Sequence, residues 1–227
     1  MKLITYSSPS HREMCERFVL SNYRKAGFSD CVLYETEQVC QSGNYNQPGF
    51  AEATQGKLGC LASVAIGQSV CYVDADCVIL PGLADWCDRW IQSNQLSIGH
   101  GKDVRKRPEN AGQFCTGTLV FTQTQKTVEW WQFLKQLAWM LSTHDQDALI
   151  AAVSMAERVP VSLDFLDNTV FANWSNFGNL EQKVWLGEDL IVPKSTLCWH
   201  ANFVVGVEKK IKMLEMVVDI LYCTCIH

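Results

Sequence analysis

A chain of 227 residues, 48% apolar and 19% charged, is long enough to bury one full core and has the composition of a folded globular protein. Its formal net charge of −5 argues against a general nucleic-acid partner, which needs a basic surface. There is no run of about 18 uncharged apolar residues, so no transmembrane segment is expected. Eleven cysteines are scattered without a Cys-x-x-Cys pair, and the start from Met1 to Ser8 turns polar too early for a signal peptide. The expectation is a cytoplasmic protein whose thiols stay reduced and mostly buried. The sequon Asn173-Trp174-Ser175 then meets no glycosylation machinery.

Residues 2–6 read as a first strand. Ser10 followed three residues later by Glu13 reads as a helix start, and that helix is expected to reach residue 26 and close at Gly27. Residues 31–34 form a second strand and residues 41–50, rich in Gly, Asn and Pro, a loop. A helix over 51–65, ended by Gly67, delivers the chain to a strand at 70–73. This β-α-β-α-β order favours a mainly parallel sheet with helices on its faces. Pro81-Gly82 makes a turn into a helix over 83–91, and 96–98 form a short strand. Residues 99–112, with Lys102, Arg105, Lys106 and Arg107, read as an exposed loop. A strand at 118–122, a tryptophan-rich helix at 127–141 and a helix at 145–156 follow. Short apolar pieces then alternate with turns until a closing helix over 207–222. No repeat or linker divides the chain, which reads as one α/β domain over 1–227 with a less regular second half.

Chemistry concentrates where the third strand runs out. Asp74 and Asp76 flank Ala75 directly after the apolar run Val70-Cys71-Tyr72-Val73. Unpaired buried anions are costly, and a divalent cation is the obvious partner. An open α/β sheet puts such a site outside the carboxyl ends of its strands, where a bound cation could neutralise a phosphate-bearing substrate.

The stretch Val73-Asp74-Ala75-Asp76-Cys77-Val78 resembles the Asp-x-Asp motif of nucleotide-sugar glycosyltransferases of the GT-A fold, and supporting pieces occur in that family's order. Thr5-Tyr6-Ser7 lies where such enzymes hold the nucleoside, and a helix with Lys57 precedes the motif strand. Phe114-Cys115-Thr116-Gly117-Thr118 resembles the segment lining the sugar pocket. Asp145-Gln146-Asp147 resembles the family's Asp-Gln helix start, and Trp199-His200-Ala201-Asn202 its late metal-ligating histidine. The likeness is nearest to nucleotide-diphospho-sugar transferases related to glycogenin-like enzymes. It implies a GT-A type domain with a Rossmann-like sheet, about 1–110 holding the nucleotide and about 111–227 the acceptor. Thr5, Tyr6, Ser7, Lys57, Asp74 and Ala75 would contact the donor. Asp74, Asp76 and His200 would hold Mn²⁺, or Mg²⁺, against the diphosphate. The implied reaction moves a sugar from a nucleotide-sugar, UDP-linked by resemblance, to a saccharide or other hydroxyl. Asp145 or Asp147 would serve as general base if the anomeric centre inverts. If it is retained, the leaving phosphate takes that proton, and the resemblance leans this way.

Each residue also has a plainer reading. His200 could be a core histidine beside Trp199, Lys57 a solvated lysine, and Asp145 and Asp147 helix caps. Lys209 and Lys210 follow Gly206, but three extra residues separate His200 from that glycine relative to the glycogenin-like run, so a basic face on the closing helix is expected. That helix, with Lys212 as well, could also attach weakly to a membrane surface. Trp130, Trp131 and Trp139 read as core, Trp86 and Trp90 as a packed pair, Trp174 as a residue that could stack on a sugar, and residues 223–227 as a frayed tail. Two other functions fit the motif. One is a haloacid-dehalogenase type phosphatase with Asp74 as nucleophile, Asp76 as acid and Gly187-Glu188-Asp189 as its Mg²⁺ motif. The other is a non-catalytic nucleotide-sugar-binding module. Neither a Gly-x-Gly-x-x-Gly nor a P-loop signature is present.

Overall fold

The computed structural model describes residues 1–40, 47–103, 114–155, 160–178 and 185–223. β1 (Lys2–Ser7) lies between β2 (Asp30–Glu35) and β3 (Ser69–Asp74), both parallel to it. β6 (Phe114–Thr122) runs antiparallel to β3 and to β5 (Ser97–Lys102), and β7 (Ser162–Phe165) joins β5 in parallel. The order is β2-β1-β3-β6-β5-β7, and three of its five pairings are parallel. The sheet is therefore mostly parallel, as the βα alternation requires.

α2 (Phe50–Ala62), α4 (Gln125–Met140) and α5 (Asp145–Met155) cover one face, burying Leu58, Leu61, Trp130, Trp131, Leu134 and Leu149 against Ile4, Tyr72 and Phe121. α4 starts where the sequence allows both halves of a capping box: the Thr124 hydroxyl accepts from Thr127 N–H, and the Thr127 hydroxyl accepts from Thr124 N–H. α1 (Arg12–Cys15) and α3 (Leu83–Ser93) cover the other face with Cys15, Leu83, Ala84 and Cys87. Nine cysteines, from Cys15 to Cys198, are free thiols.

A second, three-stranded sheet of β4 (Cys77–Ile79), β9 (Cys198–His200) and β8 (Phe171–Asn173) stands beyond the end of β3. α6 (Trp174–Phe177) follows β8 directly. α7 (Val207–Cys223) packs Met213, Leu214 and Val217 into a cluster with Val78, Trp174, Trp185 and Trp199. Among the described residues no helix is long and apolar enough to cross a membrane.

Several expectations need correction. The first helix is broken: α1 passes into a π-helical turn over Glu16–Leu20 and then into turns. Ser21 Oγ donates to Arg17 O and Asn22 Nδ2 to Phe18 O, so side chains take carbonyls that a continuing helix would need. Residues 99–102 are strand rather than loop. Gly99 and Gly101 lie where a Cβ would strike Trp90, Leu166 or Thr118, so these glycines mark close packing inside β5. The basic stretch 104–112, loop residues 41–46 and tail residues 224–227 fall outside the described residues. Trp139 is 73% exposed, whereas Trp174 is 2% exposed and packed in the third core cluster, out of reach of a sugar. Trp86 meets Phe171 edge-on at 5.3 Å. The short strands β4, β8 and β9, of three residues each, were not separable in sequence from other apolar pieces.

Candidate active site

The Asp-x-Asp motif is the joint between the two sheets. β3 ends at Asp74, Ala75-Asp76 make the turn, and Cys77 begins β4. The ladder of the small sheet sets His200 opposite Cys77 and, on its other side, opposite Asn173. Ala201 N–H also donates to Asp76 O at 2.9 Å. Pairing of short strands thus carries the imidazole to the motif across more than a hundred residues of chain.

His200 Nε2 lies 3.2 Å from Asp76 Oδ1 and 3.9 Å from Asp74 Oδ2. Its Nδ1 is 3.6 Å from Cys115 Sγ, which also accepts from Gly117 N–H at 3.4 Å. Behind the ring is the backbone of Gly117, where a Cβ would come within 2.3 Å of His200 Cε1 and 2.8 Å of Asp74 Oδ2. The β5–β6 register jumps at this point: His100 faces Leu119, but Gly101 faces Cys115. Thr116, Gly117 and Thr118 therefore bulge from β5 towards the site.

Two ion-pair clusters meet here. Lys57, from α2, is buried with Nζ 2.5 Å from Asp145 Oδ2, 3.2 Å from Asp74 Oδ1 and 3.2 Å from Thr116 O. Burial would lower the Lys57 pKa, but Asp145 and Asp74 outweigh it and raise it. Burial would likewise raise Asp145, and Lys57 holds it below the ordinary carboxylate value. Tyr72 donates its phenol to Asp74 Oδ1. In the second cluster Lys210 Nζ, from α7, is 2.5 Å from Asp76 Oδ2. Against the cost of burial, Lys210 and His200 keep Asp76 well below 3.8, while Asp76 lifts His200 well above 6.5.

A metal ion suits this donor set. Ligand-type atoms of Asp76, Cys77 and His200 lie within 4.8 Å of one another. Cys77 is a poor member: it sits in the apolar cluster with Cys198, and burial pushes its pKa well up, so it keeps its proton. Asp76 and His200, with Asp74 next to them, give carboxylate oxygens and one imidazole nitrogen, which fit a hard or borderline divalent cation.

A cavity of about 550 Å³ opens on these groups. Of the residues singled out in sequence, Tyr6, Ser7, Lys57, Asp74, Ala75, Asp76, Asp145 and His200 line it. Thr5 does not. It lies two residues inside the strand end, buried with its hydroxyl 3.7 Å from Cys15 Sγ on the α1 side of the sheet. Asp147 is not a lining residue either: its Oδ2 is 3.0 Å from His144 Nε2 and accepts from Thr143 Oγ1 at 3.4 Å. Lys57 is not the solvated lysine of the plainer reading, and Lys210 leaves the basic face, where Lys209 and Lys212 remain exposed. With the apolar side of α7 packed inside, that helix does not offer a membrane-binding face. Glu188 accepts from Leu186 N–H in a local turn. Sequence reading missed His11, Asp103, Gln146's partner and Lys210. The one available signal was the Gly206–Lys210 spacing, which matches one helical turn (Lys210 N–H donates to Gly206 O) and so brings the lysine back to the site.

An open, mostly parallel sheet with paired aspartates at the end of a central strand is the arrangement expected of a GT-A type glycosyltransferase fold. Solved structures agree on that fold. A glycosyltransferase involved in glycosylation of the major capsid of PBCV-1 has a TM-score of 0.56 at 12% identity, covering 95% of this chain and 98% of that one. Galactosyltransferase LgtC, in complex with donor and acceptor sugar analogues, has a TM-score of 0.54 at 11% identity and 95% coverage of both chains. Mouse xyloside xylosyltransferase 1 has a TM-score of 0.51 at 11% identity, covering 89% of this chain and 98% of that one. Comparison with curated protein sequences gives no match. The family model for nucleotide-diphospho-sugar transferases matches residues 19–214, and the chain belongs to that family. It is a glycosyltransferase, an enzyme, so the phosphatase and binding-module readings are not favoured.

Proposed function

We propose that this enzyme transfers a sugar from a UDP-sugar to a hydroxyl acceptor with a divalent cation, Mn²⁺ before Mg²⁺, held by Asp74, Asp76 and His200. The observation that carries the reading is Asp76, a buried carboxylate facing the cavity between an imidazole and a lysine. When bound, the ion supplies positive charge to the diphosphate leaving group. His200 must give up its proton to become a ligand, and Asp76 is already ionised for that role. Lys210, at the rim of the same cavity, can turn from Asp76 to a phosphate oxygen as a point charge. All of Tyr6, Ser7, His11, Lys57, Asp145 and Gln146 line the cavity; the first three are assigned to the nucleoside and the last three to the sugar.

Every described carboxylate lining the cavity is already engaged: Asp74 and Asp145 by Lys57, Asp76 by His200 and Lys210, and Asp103 by side-chain donors. None stands ready to take the acceptor proton. This supports retention of the anomeric configuration, with that proton passing to the departing phosphate oxygen. The test is a panel of nucleotide-sugars with and without Mn²⁺, followed by NMR of the product's anomeric configuration. Turnover of a UDP-sugar that needs the cation and retains configuration is expected. Turnover unaffected by chelation would overturn the metal assignment, and an inverted product would overturn the retaining route.

A further inference from the structure

Asp103 follows β5 at the cavity wall and is 1% exposed. A buried carboxylate needs compensation, and among the described residues its partners are neutral. Oδ1 accepts from Asn202 Nδ2 at 2.7 Å, Ser175 Oγ at 3.2 Å and Asn173 Nδ2 at 3.5 Å, and Oδ2 accepts from Gln146 Nε2 at 3.0 Å. The Asn202 amide is itself fixed from behind, since its Oδ1 accepts from Ser175 N–H at 3.2 Å. One anion thus ties together β5, β8, α6, α5 and the segment after β9.

The chemistry of this contact dictates an orientation. All four side chains that meet this carboxyl group face it with donors, and the Gln146 amide does so with its NH₂ end. Gln146 lines the cavity, and its carbonyl oxygen is then the end left for a ligand. We propose that Asp103 is a positioning residue for the transfer reaction: it pins the Gln146 amide so that an acceptor oxygen, and not an NH₂ group, is presented to a hydroxyl of the bound sugar. This deepens the glycosyltransferase reading and rests on it. A neutral residue in its place could present either a donor or an acceptor to Gln146, and the amide would populate both orientations. The alternative is that Asp103 only braces the small sheet against the large one.

The test combines a readout of the amide with a double-mutant cycle on the full chain. In protein labelled with ¹⁵N on glutamine side chains, the Gln146 NH₂ resonances are identified by their loss in Gln146→Ala. They are expected to be slowly exchanging in the unmodified protein, and exchange should quicken by about tenfold or more in Asp103→Asn as the pinned bond is lost. In nucleotide-sugar turnover, Asp103→Asn should lower kcat about 10- to 100-fold, with KM changed by less than about threefold. In the Gln146→Ala background the same substitution should cost nothing further. Fast amide exchange in the unmodified protein, or losses that add in the double variant, would overturn the proposal, and the first holds whether or not Asp103→Asn folds. A locked amide released by Asp103→Asn, in a protein that turns over no nucleotide-sugar, would uphold the positioning and remove the glycosyltransferase reading instead.

Discussion

The two lysines of the site sit in contrasting surroundings. Lys57 is sealed between α2 and β6 with two carboxylates and a carbonyl around its ammonium group. Lys210 comes from the rim, is half-buried, and meets a single carboxylate that also faces His200. The first arrangement is complete in itself, so breaking it should cost stability. The second has a cation where a ligand could take its place, so changing it should cost binding and turnover. Burial and the number of partners, more than charge alone, separate a structural ion pair from a functional one.

Substitutions can break this contrast. Asp76→Asn should lower turnover by ~10³-fold while the chain still folds, with some loss of stability because Lys210 and His200 lose their carboxylate; a normal rate would disprove the role of this carboxylate. Lys57→Met should instead act on the fold, lowering stability by about 3–5 kcal/mol in urea unfolding because Asp145 is left buried and uncompensated. The pH dependence carries the sign. Asp145 is held below its ordinary 3.8, so its contribution is full above that value and is lost as pH falls below it. The Lys57→Met variant should lose that acid-side slope, which a set of unfolding curves between neutral and strongly acidic pH would reveal.

Smaller changes sharpen the comparison. Gly117→Ala puts a methyl group into the His200 ring and should cost about 1–3 kcal/mol of stability together with weaker Mn²⁺ binding, measurable by calorimetry. His200 is raised above its ordinary 6.5 by Asp76 and must be neutral to ligate, so Mn²⁺ affinity should keep climbing with pH past that value and level off only once the ring has lost its proton. While the ring stays protonated the gain should be about tenfold per pH unit, read from the free Mn²⁺ signal in electron paramagnetic resonance. Asp147→Asn, outside the cavity, should leave turnover within about threefold, far from the ~10²-fold loss of a missing general base. A large loss there would restore Asp147 as a candidate base.

The large sheet was readable because its strands and helices are long enough to show their periods: β1, β3, α2 and α4 all fall within a few residues of their expected places. The small sheet was not, since three residues carry no period and its partners are far apart in sequence. The site follows the same division. Asp74 and Asp76 were visible at a strand end, and Tyr6 and His200 only through family likeness. Asp103 was hidden because glycines that pack β5 closely look like loop glycines, and Thr5 lies two residues inside the strand end, buried against Cys15, whereas its sequence neighbours Tyr6 and Ser7 reach the cavity. Lys210 was passed over for a spacing mismatch that one turn of α7 absorbs.

The β4–β9 ladder, which aligns His200 with Cys77, is only three residues long. A slip of one rung would flip every side chain of β9 and turn the indole of Trp199 towards Asp76 in place of the imidazole. Trp199, fully buried in its own cluster, makes that slip expensive. A buried apolar side chain therefore acts as the register pin for the imidazole that faces Asp76, and trimming it should blur that alignment before it unfolds the protein.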